Sequence, residues 1–399
     1  TLTLLTKYPI MKNIVFVSNP GAWGGCEMLL VEYLAAVDST VYNVTLVTTN
    51  DLFSDPIAKR KLDHVSVIQL PFPLKGESWG RFFNLKKFFK NMGPVEKIVF
   101  FPGAFNVFKW SDYLAAYLKV KGEVYSVENS GPFEPPKRES KKHFKIIPGI
   151  GMWWYKRMLF TKLRTIFCKR ILAVGQEVRT RMIQWYGYPQ EKVVVAYTGV
   201  HLDKFAPDPE MRRQMRDEQG YSDQDILIIS TARLSPEKRL DRLMKAFAKI
   251  QDDKVNLVFV GDGPLENELR DLAEKLNVRP RVRFVGFQKN IENFLKMSDI
   301  YVLPSDMEGF SIAMLEAMAT GLIPVRTNTC GAREIILDGK NGLIVDCSVS
   351  GVYAGLKQVL EISCEQRKSI ASRARNTMEE NFDFSRNINK AIEYLGLGV

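Results

Sequence analysis

Two glutamates, Glu308 and Glu316, and two cations, Arg233 and Lys238, have the side-chain type and setting in this sequence best suited to chemistry. Glu308 lies in the stretch Ser305 to Val325, where a short loop, Glu308-Gly309-Phe310-Ser311, leads into a run rich in Ala, Met, Leu and Glu. That run reads as a helix closed by Gly321 in left-handed geometry. Gly309 permits a tight turn, which sets the N–H groups of Phe310, Ser311 and Ile312 at the positive end of the helix, where a phosphate binds readily. Carboxylates flanking such an anion site suit sugar hydroxyls, because each oxygen accepts hydrogen bonds. Two glutamates at this spacing are common, and a capped, solvated helix would account for them. It would not account for the loop, both carboxylates and the small-residue helix together.

The second constellation is Thr231 to Leu240. A strand delivers Arg233 to its C-terminal edge and Lys238 opens the following helix. An arginine and a lysine converging above a parallel sheet clamp a diphosphate, the arginine bidentately and the lysine as a point charge. Taken alone the pair would read as surface cations. Placement at a strand end, where α/β folds bind ligands, favours the clamp.

The elements that must hold these residues follow from short β-branched runs alternating with helical patterns, the mark of parallel sheets. In the first half the strands are expected at 13–18, 43–47, 65–70, 97–101, 123–127, 170–174 and 192–197; in the second at 226–232, 256–260, 282–285, 300–303, 323–325 and 343–345. The fold class is therefore α/β, with two Rossmann-like domains whose parallel sheets face a cleft. The N-terminal domain is expected over 11–205 and the C-terminal one over 226–378, with a terminal helix over 379–399 packing back on the first. The polar segment 206–225, bearing Pro207 and Pro209, reads as the hinge.

Composition agrees. A chain of 399 residues, 46% hydrophobic, buries a sizeable core and suffices for two domains. Five scattered cysteines fit a reducing compartment, and three isolated histidines argue against a histidine-based metal site. The first ten residues do not make a signal peptide, so Met11 reads as the natural start, and no apolar run is long enough to span a membrane. The net charge of +11 is concentrated: between Lys137 and Arg170 stand eleven Lys and Arg against one acid, Glu139. Such an excess marks either a solvated face or a surface that meets an anionic partner.

With these residues in view, the sequence resembles the retaining glycosyltransferases of family 4, which have the GT-B fold. The resemblance rests on Ala232-Arg233-Leu234 through Glu237-Lys238-Arg239, on Glu308-Gly309-Phe310-Ser311 through Glu316 to Gly321 and Val325, on Gly261-Asp262-Gly263-Pro264, on Gly286-Phe287, and on Thr198-Gly199-Val200 leading to Phe205 and Pro207. It covers essentially the whole chain from Met11 and is most specific in the C-terminal half. It implies that Arg233 and Lys238 bind the donor diphosphate, that Glu308 holds the hydroxyls of the donor sugar, that the amides of Phe310 and Ser311 contact phosphate, and that Glu316 binds the ribose. Gly24 and Gly25, in Gly24-Gly25-Cys26-Glu27, resemble the loop by which the backbone approaches the donor phosphates. Backbone contacts near Gly286 and Phe287 would read the base. Two departures stand out: Arg239 replaces a usual glycine, and where many members carry a histidine after the fifth strand this chain has Glu128 or Asn129.

The expected function is that of a retaining, metal-independent hexosyltransferase. It would use a UDP- or GDP-sugar as substrate, with no cofactor, and serve polysaccharide or glycolipid synthesis. The Asp-x-Asp pattern at Asp223 and Asp225 falls where turn residues are expected, so no metal site is assigned to it. Glu308 is expected to stand as an exposed cleft carboxylate. Within the basic segment, Met152, Tyr155, Leu159, Leu163 and Ile166 recur at helical spacing among cations, with Trp153 and Trp154 alongside. That pattern fits a core stripe or an interfacial helix on an anionic membrane, the latter implying a lipid-linked acceptor and a cytoplasmic, peripheral location. The competing readings are a basic nucleic-acid- or membrane-binding module and a non-catalytic sugar-nucleotide-binding subunit; no nucleic acid is expected.

Overall fold

The computed structural model describes residues 11–19, 25–49, 62–72, 79–102, 108–128 and 159–398. The chain forms two compact units, one of Thr1–Tyr197 with Ile388–Val399 and one of Thr198–Asn387.

The first unit contains, in chain order, β1 (Lys12–Ser18), α1 (Gly25–Ala36), β2 (Tyr42–Thr48), β3 (Val65–Gln69), α2 (Trp79–Asn91), β4 (Lys97–Phe101), α3 (Trp110–Val120), β5 (Val124–Glu128), β6 (Arg170–Ala173), α4 (Gln176–Tyr186) and β7 (Val193–Val195). Its strands make one sheet in the order β3-β2-β1-β4-β5-β6-β7, parallel throughout. Helices on both faces bury the central strands completely, which is why β4 (Lys-Ile-Val-Phe-Phe) reads as a nearly unbroken apolar run.

The second unit contains α5 (Pro209–Gln219), β8 (Ile226–Thr231), α6 (Leu240–Phe247), β9 (Val255–Val260), α7 (Glu266–Lys275), β10 (Val282–Phe284), α8 (Ile291–Lys296), β11 (Ile300–Leu303), α9 (Ile312–Ala319), β12 (Ile323–Thr327), α10 (Ala332–Ile335), β13 (Leu343–Val345), α11 (Val349–Glu361) and α12 (Cys364–Asn381). Its sheet runs β10-β9-β8-β11-β12-β13, again all parallel. Ile228, Leu257, Phe259, Ile300 and Val325 from the strands meet Leu243, Met244 and Phe247 of α6 and Val352, Leu356 and Val359 of α11 in one core. Every strand read from the sequence forms close to where it was expected.

The hinge reading of 206–225 is corrected. Asp208 caps α5 by accepting the Met211 N–H, and Pro209 takes the first helical turn, where its missing donor and fixed φ cost nothing. This segment belongs to the second unit. Arg216, 1% exposed, donates to the carbonyls of Met297, Ser222 and Asp225 and pairs with Asp299 at 2.8 Å, while Arg212 grips the same carboxylate at 2.6 Å. Asp225 accepts from the Ser222 N–H and hydroxyl, a turn role.

The last helix, α13 (Phe384–Tyr394), carries the chain back into the first unit. There the buried Lys97 ammonium donates to the carbonyls of Leu395 and Gly396, and Arg170 donates to that of Tyr394. Cations at the carbonyl end of a helix are favourably placed.

Arg216→Ala strips three carbonyls of their donor and is expected to lower the unfolding free energy by about 3 kcal/mol. Arg212→Ala, at the more exposed member of the pair, is expected to cost about 1 kcal/mol or less. Urea denaturation of both variants checks this; equal losses would contradict the assignment of Arg216 as the buried keystone.

Candidate donor site in the second unit

In the second sheet β8 lies between β9 and β11, so the strand order reverses beside β8. The segments leaving β8 and β11 therefore diverge to opposite faces and leave room between them at the carboxyl edge. The first segment carries Arg233 and Lys238 and the second carries Glu308, so the sheet brings three of the four singled-out residues to one place.

The segment after β8 is held close to its neighbour after β9. Leu234 N–H donates to the Asp262 carbonyl at 2.7 Å. Gly261 adopts φ +130, where a Cβ would lie 2.1 Å from the Ala232 oxygen, and Gly263 is equally hemmed by Leu234. Only glycine fits these positions. The Gly261 N–H donates in turn to the Gly286 carbonyl, which ties in the loop after β10 and leaves Phe287 exposed on it. Arg233 is exposed, and its guanidinium makes no ion pair among the described residues.

Lys238 Nζ lies 2.8 Å from Glu308 Oε1, and the Ser305 hydroxyl donates to the same oxygen at 2.7 Å. The Glu308 side chain is only 8% exposed, which corrects its reading as an exposed carboxylate: the lysine and serine that satisfy it also cover it.

Arg239 is in the left-handed region at φ +49, between a 3₁₀ turn (Pro236–Lys238) and α6. The departure from the family's glycine is thus a real conformational demand, met by a charged residue. Its guanidinium binds Asp241 and reaches Asp306 at 2.8 Å. Arg242 binds the other oxygen of Asp306 at 2.6 Å and the Pro304 carbonyl, and the Asp306 N–H donates to the Glu237 carbonyl. These bonds join the loop of Lys238 to the loop of Glu308. Neither Asp306 nor Arg242 was singled out from the sequence; their nearness to Lys238 and Glu308 in the chain was the available signal.

The helix α9 starts at Ile312 with Ser311 as its cap, the hydroxyl accepting the Met314 N–H at 3.3 Å. The amides of Ser311, Ile312 and Ala313 make no hydrogen bond among the described residues, so the open N–H groups at the head of α9 run one residue later than the expected Phe310 to Ile312, and Phe310 is itself buried. Gly331, at φ +74, presses on the Gly309 carbonyl, where a Cβ would approach to 2.8 Å. That contact, unseen in the sequence, fixes the turn from the side of β12.

Glu316, one turn into α9, is half-buried. Burial pushes its carboxyl up to about 7, the Glu292 carboxylate adding to the effect and Lys204 opposing it. Lys204 also pairs with Glu292 at 3.3 Å. Tyr301, fully buried on β11 and bonded to Thr231, feels the charge of both Glu308 and Glu316.

In the first unit, Glu128 ends β5 and is buried, 3.0 Å from Arg164 and hydrogen-bonded to the Ser126 hydroxyl. Arg164 is held further by Tyr188. Glu128 is therefore committed to the core, and its assignment to a donor sugar is withdrawn; the isolated strand sequence carried no sign of the arginine 36 positions on. Asn129 and Gly24 lie outside the described residues, and Gly25 opens α1.

The sequence family described as Glycosyltransferase Family 4 matches residues 23–204, and that described as Glycosyl transferases group 1 matches residues 211–377. The putative glycosyltransferase EpsD of Bacillus subtilis (strain 168) is 30% identical over 212 residues, 52% of this chain and 55% of that protein. The N-acetyl-alpha-D-glucosaminyl L-malate synthase of Bacillus anthracis is 25% identical over 326 residues, 75% of this chain and 82% of that one. The chain thus spans about half the length of EpsD and most of that of the synthase. Among solved structures, Anabaena HepE in complex with UDP shares the fold at a TM-score of 0.77, with 20% identity, over 97% of this chain and all of that one. With one matched family on each unit and two parallel α/β sheets of the same architecture, the chain belongs to the family 4-like glycosyltransferases of GT-B fold.

Proposed function

We propose that the chain transfers a hexose-type sugar from a nucleoside-diphosphate sugar to a saccharide or lipid-linked acceptor, with retention and without a metal ion, in the synthesis of a cell-surface polysaccharide or glycolipid. The observation that carries this reading is the Lys238–Glu308 pair, with Arg233, which makes no ion pair among the described residues, on the same segment as Lys238, at the carboxyl edge where strand order reverses. HepE, which has this fold, has been solved with UDP and with UDP-glucose, which supports UDP as the first nucleotide to try.

On donor binding Lys238 exchanges Glu308 for a phosphate oxygen, and the released carboxylate accepts from the sugar hydroxyls. The bond from the anomeric carbon to the diphosphate oxygen breaks with its electron pair on that oxygen. Arg233, Lys238 and the amides opening α9 stabilise the charge that collects there. The acceptor hydroxyl attacks the oxocarbenium-like carbon from the face being vacated, and its proton passes to the departing oxygen. A divalent ion has no charge left to balance in this scheme. The enzyme would work on the cytoplasmic face of a membrane, where a lipid-linked acceptor is presented.

Glu308→Gln keeps a partner for Ser305, so it should fold normally yet lose transfer by about a hundredfold or more. Normal turnover in that variant would remove the core of the proposal. Arg233→Ala and Lys238→Ala should each weaken UDP or GDP binding by about tenfold, read by calorimetry. Unchanged affinity in both would show that the clamp is elsewhere.

Full activity is expected to survive exhaustive chelation, and a strict requirement for Mg²⁺ or Mn²⁺ would contradict the metal-free scheme.

Glu316 gives a pH signature. Because the folded carboxyl keeps its proton to about pH 7, stability is lost as pH rises from the ordinary glutamate range through 7, a span worth on the order of 3 kcal/mol. Glu316→Gln should abolish that slope in melting experiments. In the native chain UDP affinity should rise over the same interval, as the carboxylate becomes able to accept both ribose hydroxyls. A flat pH profile of UDP binding would argue against the ribose role.

A further inference from the structure

Helix α2 has the sequence Trp-Gly-Arg-Phe-Phe-Asn-Leu-Lys-Lys-Phe-Phe-Lys-Asn, without an acid. Its inward face is Arg81, Phe82, Leu85 and Phe89. Its outward face, an arc of about 100°, carries Trp79, Phe83, Lys86, Lys87 and Lys90. Trp79 is 66% exposed and Phe83 58%, a large apolar area to leave in water.

The same face continues on its neighbours. Right-handed crossovers put α2, α3 and the helical residues 159–166 in one layer on one side of the first sheet. Trp79 meets Trp110 at the head of α3, and Tyr117 farther along α3 meets Phe167. Tyr117 and Leu118 on α3, and Leu159 and Ile166 on the third helix, are exposed too. Between them stand Lys121 and Lys162, also exposed. Within 79–91, 110–122 and 159–169 the one acid is Asp112, and it is buried against Arg81. The Arg81–Asp112 pair, with the Lys109 N–H donating to the same carboxylate, locks α2 to α3 from beneath, so the exposed face is a firm platform.

We propose that this layer of the first unit docks on an anionic bilayer, the aromatic and aliphatic side chains entering the headgroup region and the lysines meeting lipid phosphates. The proposal deepens the membrane part of the function proposed above and moves its site. In the basic segment 137–170, residues 137–158 lie outside the described residues, and three of the four described cations serve the fold: Arg164 is buried on Glu128, Lys169 pairs with Glu123 and Arg170 with the Tyr394 carbonyl. Leu159 and Ile166, expected as a core stripe or an interfacial one, face outward. No helix among the described residues is long and apolar enough to cross a membrane. Tryptophan suits that depth, since its ring is apolar and its N–H is met by the headgroups.

Flotation of the full chain with phosphatidylcholine vesicles, with and without phosphatidylglycerol, tests this. Binding is expected only with phosphatidylglycerol and should be released by salt. Lys86→Glu/Lys87→Glu/Lys90→Glu should reduce it by about a hundredfold. Trp79→Ser/Phe83→Ser, at exposed positions, should melt like the native chain and still lose vesicle binding. Trp79→Phe should reduce fluorescence quenching by bromine-labelled lipid. Binding that survives both α2 variants, equal binding to neutral vesicles, or self-association abolished by Trp79→Ser/Phe83→Ser in place of vesicle binding would each overturn the proposal. UDP affinity, which depends on the second unit, should be the same in all α2 variants, so a failure of docking is distinguishable from a failure of the donor reading.

Discussion

Parallel strands joined by right-handed crossovers constrain where this chain can gather polar groups. In the second unit the chain leaves β8 toward β9 on one side and returns to β11 on the other. The two outgoing segments pass to opposite faces of the sheet, and between them the carboxyl edge is left uncovered. Arg233 and Lys238 arrive on one segment and Ser305, Asp306 and Glu308 on the other, some 70 residues later. The 2.8 Å pairing of Lys238 with Glu308 is a consequence of that reversal. Glycines at 261 and 263 let the loop after β9 press against the first segment from the side, so three consecutive strand ends share one small volume.

Two loops meeting at a strand edge still need something to set their distance. Asp306 does this by accepting from Arg239 and Arg242 while its own N–H binds the Glu237 carbonyl. Arg239 reaches Asp306 from a left-handed backbone conformation that costs an L-residue roughly 1–2 kcal/mol. A glycine there would relax the backbone and lose the reach. This chain therefore replaces conformational ease with an ionic tether between the two loops that hold the candidate donor site.

Two carboxylates, Glu128 in the first unit and Glu316 in the second, illustrate opposite solutions to desolvation. Glu128 ends a strand in the first unit with an arginine and a hydroxyl against it, so its charge is matched within the core. Glu316 is handled otherwise: burial pushes its carboxyl up to about 7, the Glu292 carboxylate adds to that, and Lys204, itself paired with Glu292, opposes it. A group held near neutrality in this way is responsive to a ligand, because an incoming hydroxyl can decide which form is favoured. The first solution makes structure and the second leaves a residue available for binding.

What the sequence determined by itself is the local part. Strands buried on both faces must be continuous β-branched and aromatic runs, so all thirteen among the described residues were legible, and the loops after two of them carried the residue types that hold phosphates and sugar hydroxyls. The resemblance to family 4 glycosyltransferases rested on those loops and on the shorter motifs after β7, β9 and β10. What tertiary structure decided is the partner of each charge. Pro209 looked like a hinge and is the first turn of a helix locked to Asp299. Glu128, which with Asn129 was one of two candidates for a sugar contact, is sealed by Arg164; Glu308 looked exposed and is covered by Lys238 and Ser305. The clustered cations after Lys137 read as a solvated face or one that meets an anionic partner, whereas those described are mostly absorbed by the fold, and among the described residues α2 presents Trp79 and Phe83 outward. Periodicity is a property of neighbours in sequence and survives in any fold. Burial and pairing depend on residues tens to hundreds of positions away, which only the crossovers of the sheet bring into contact.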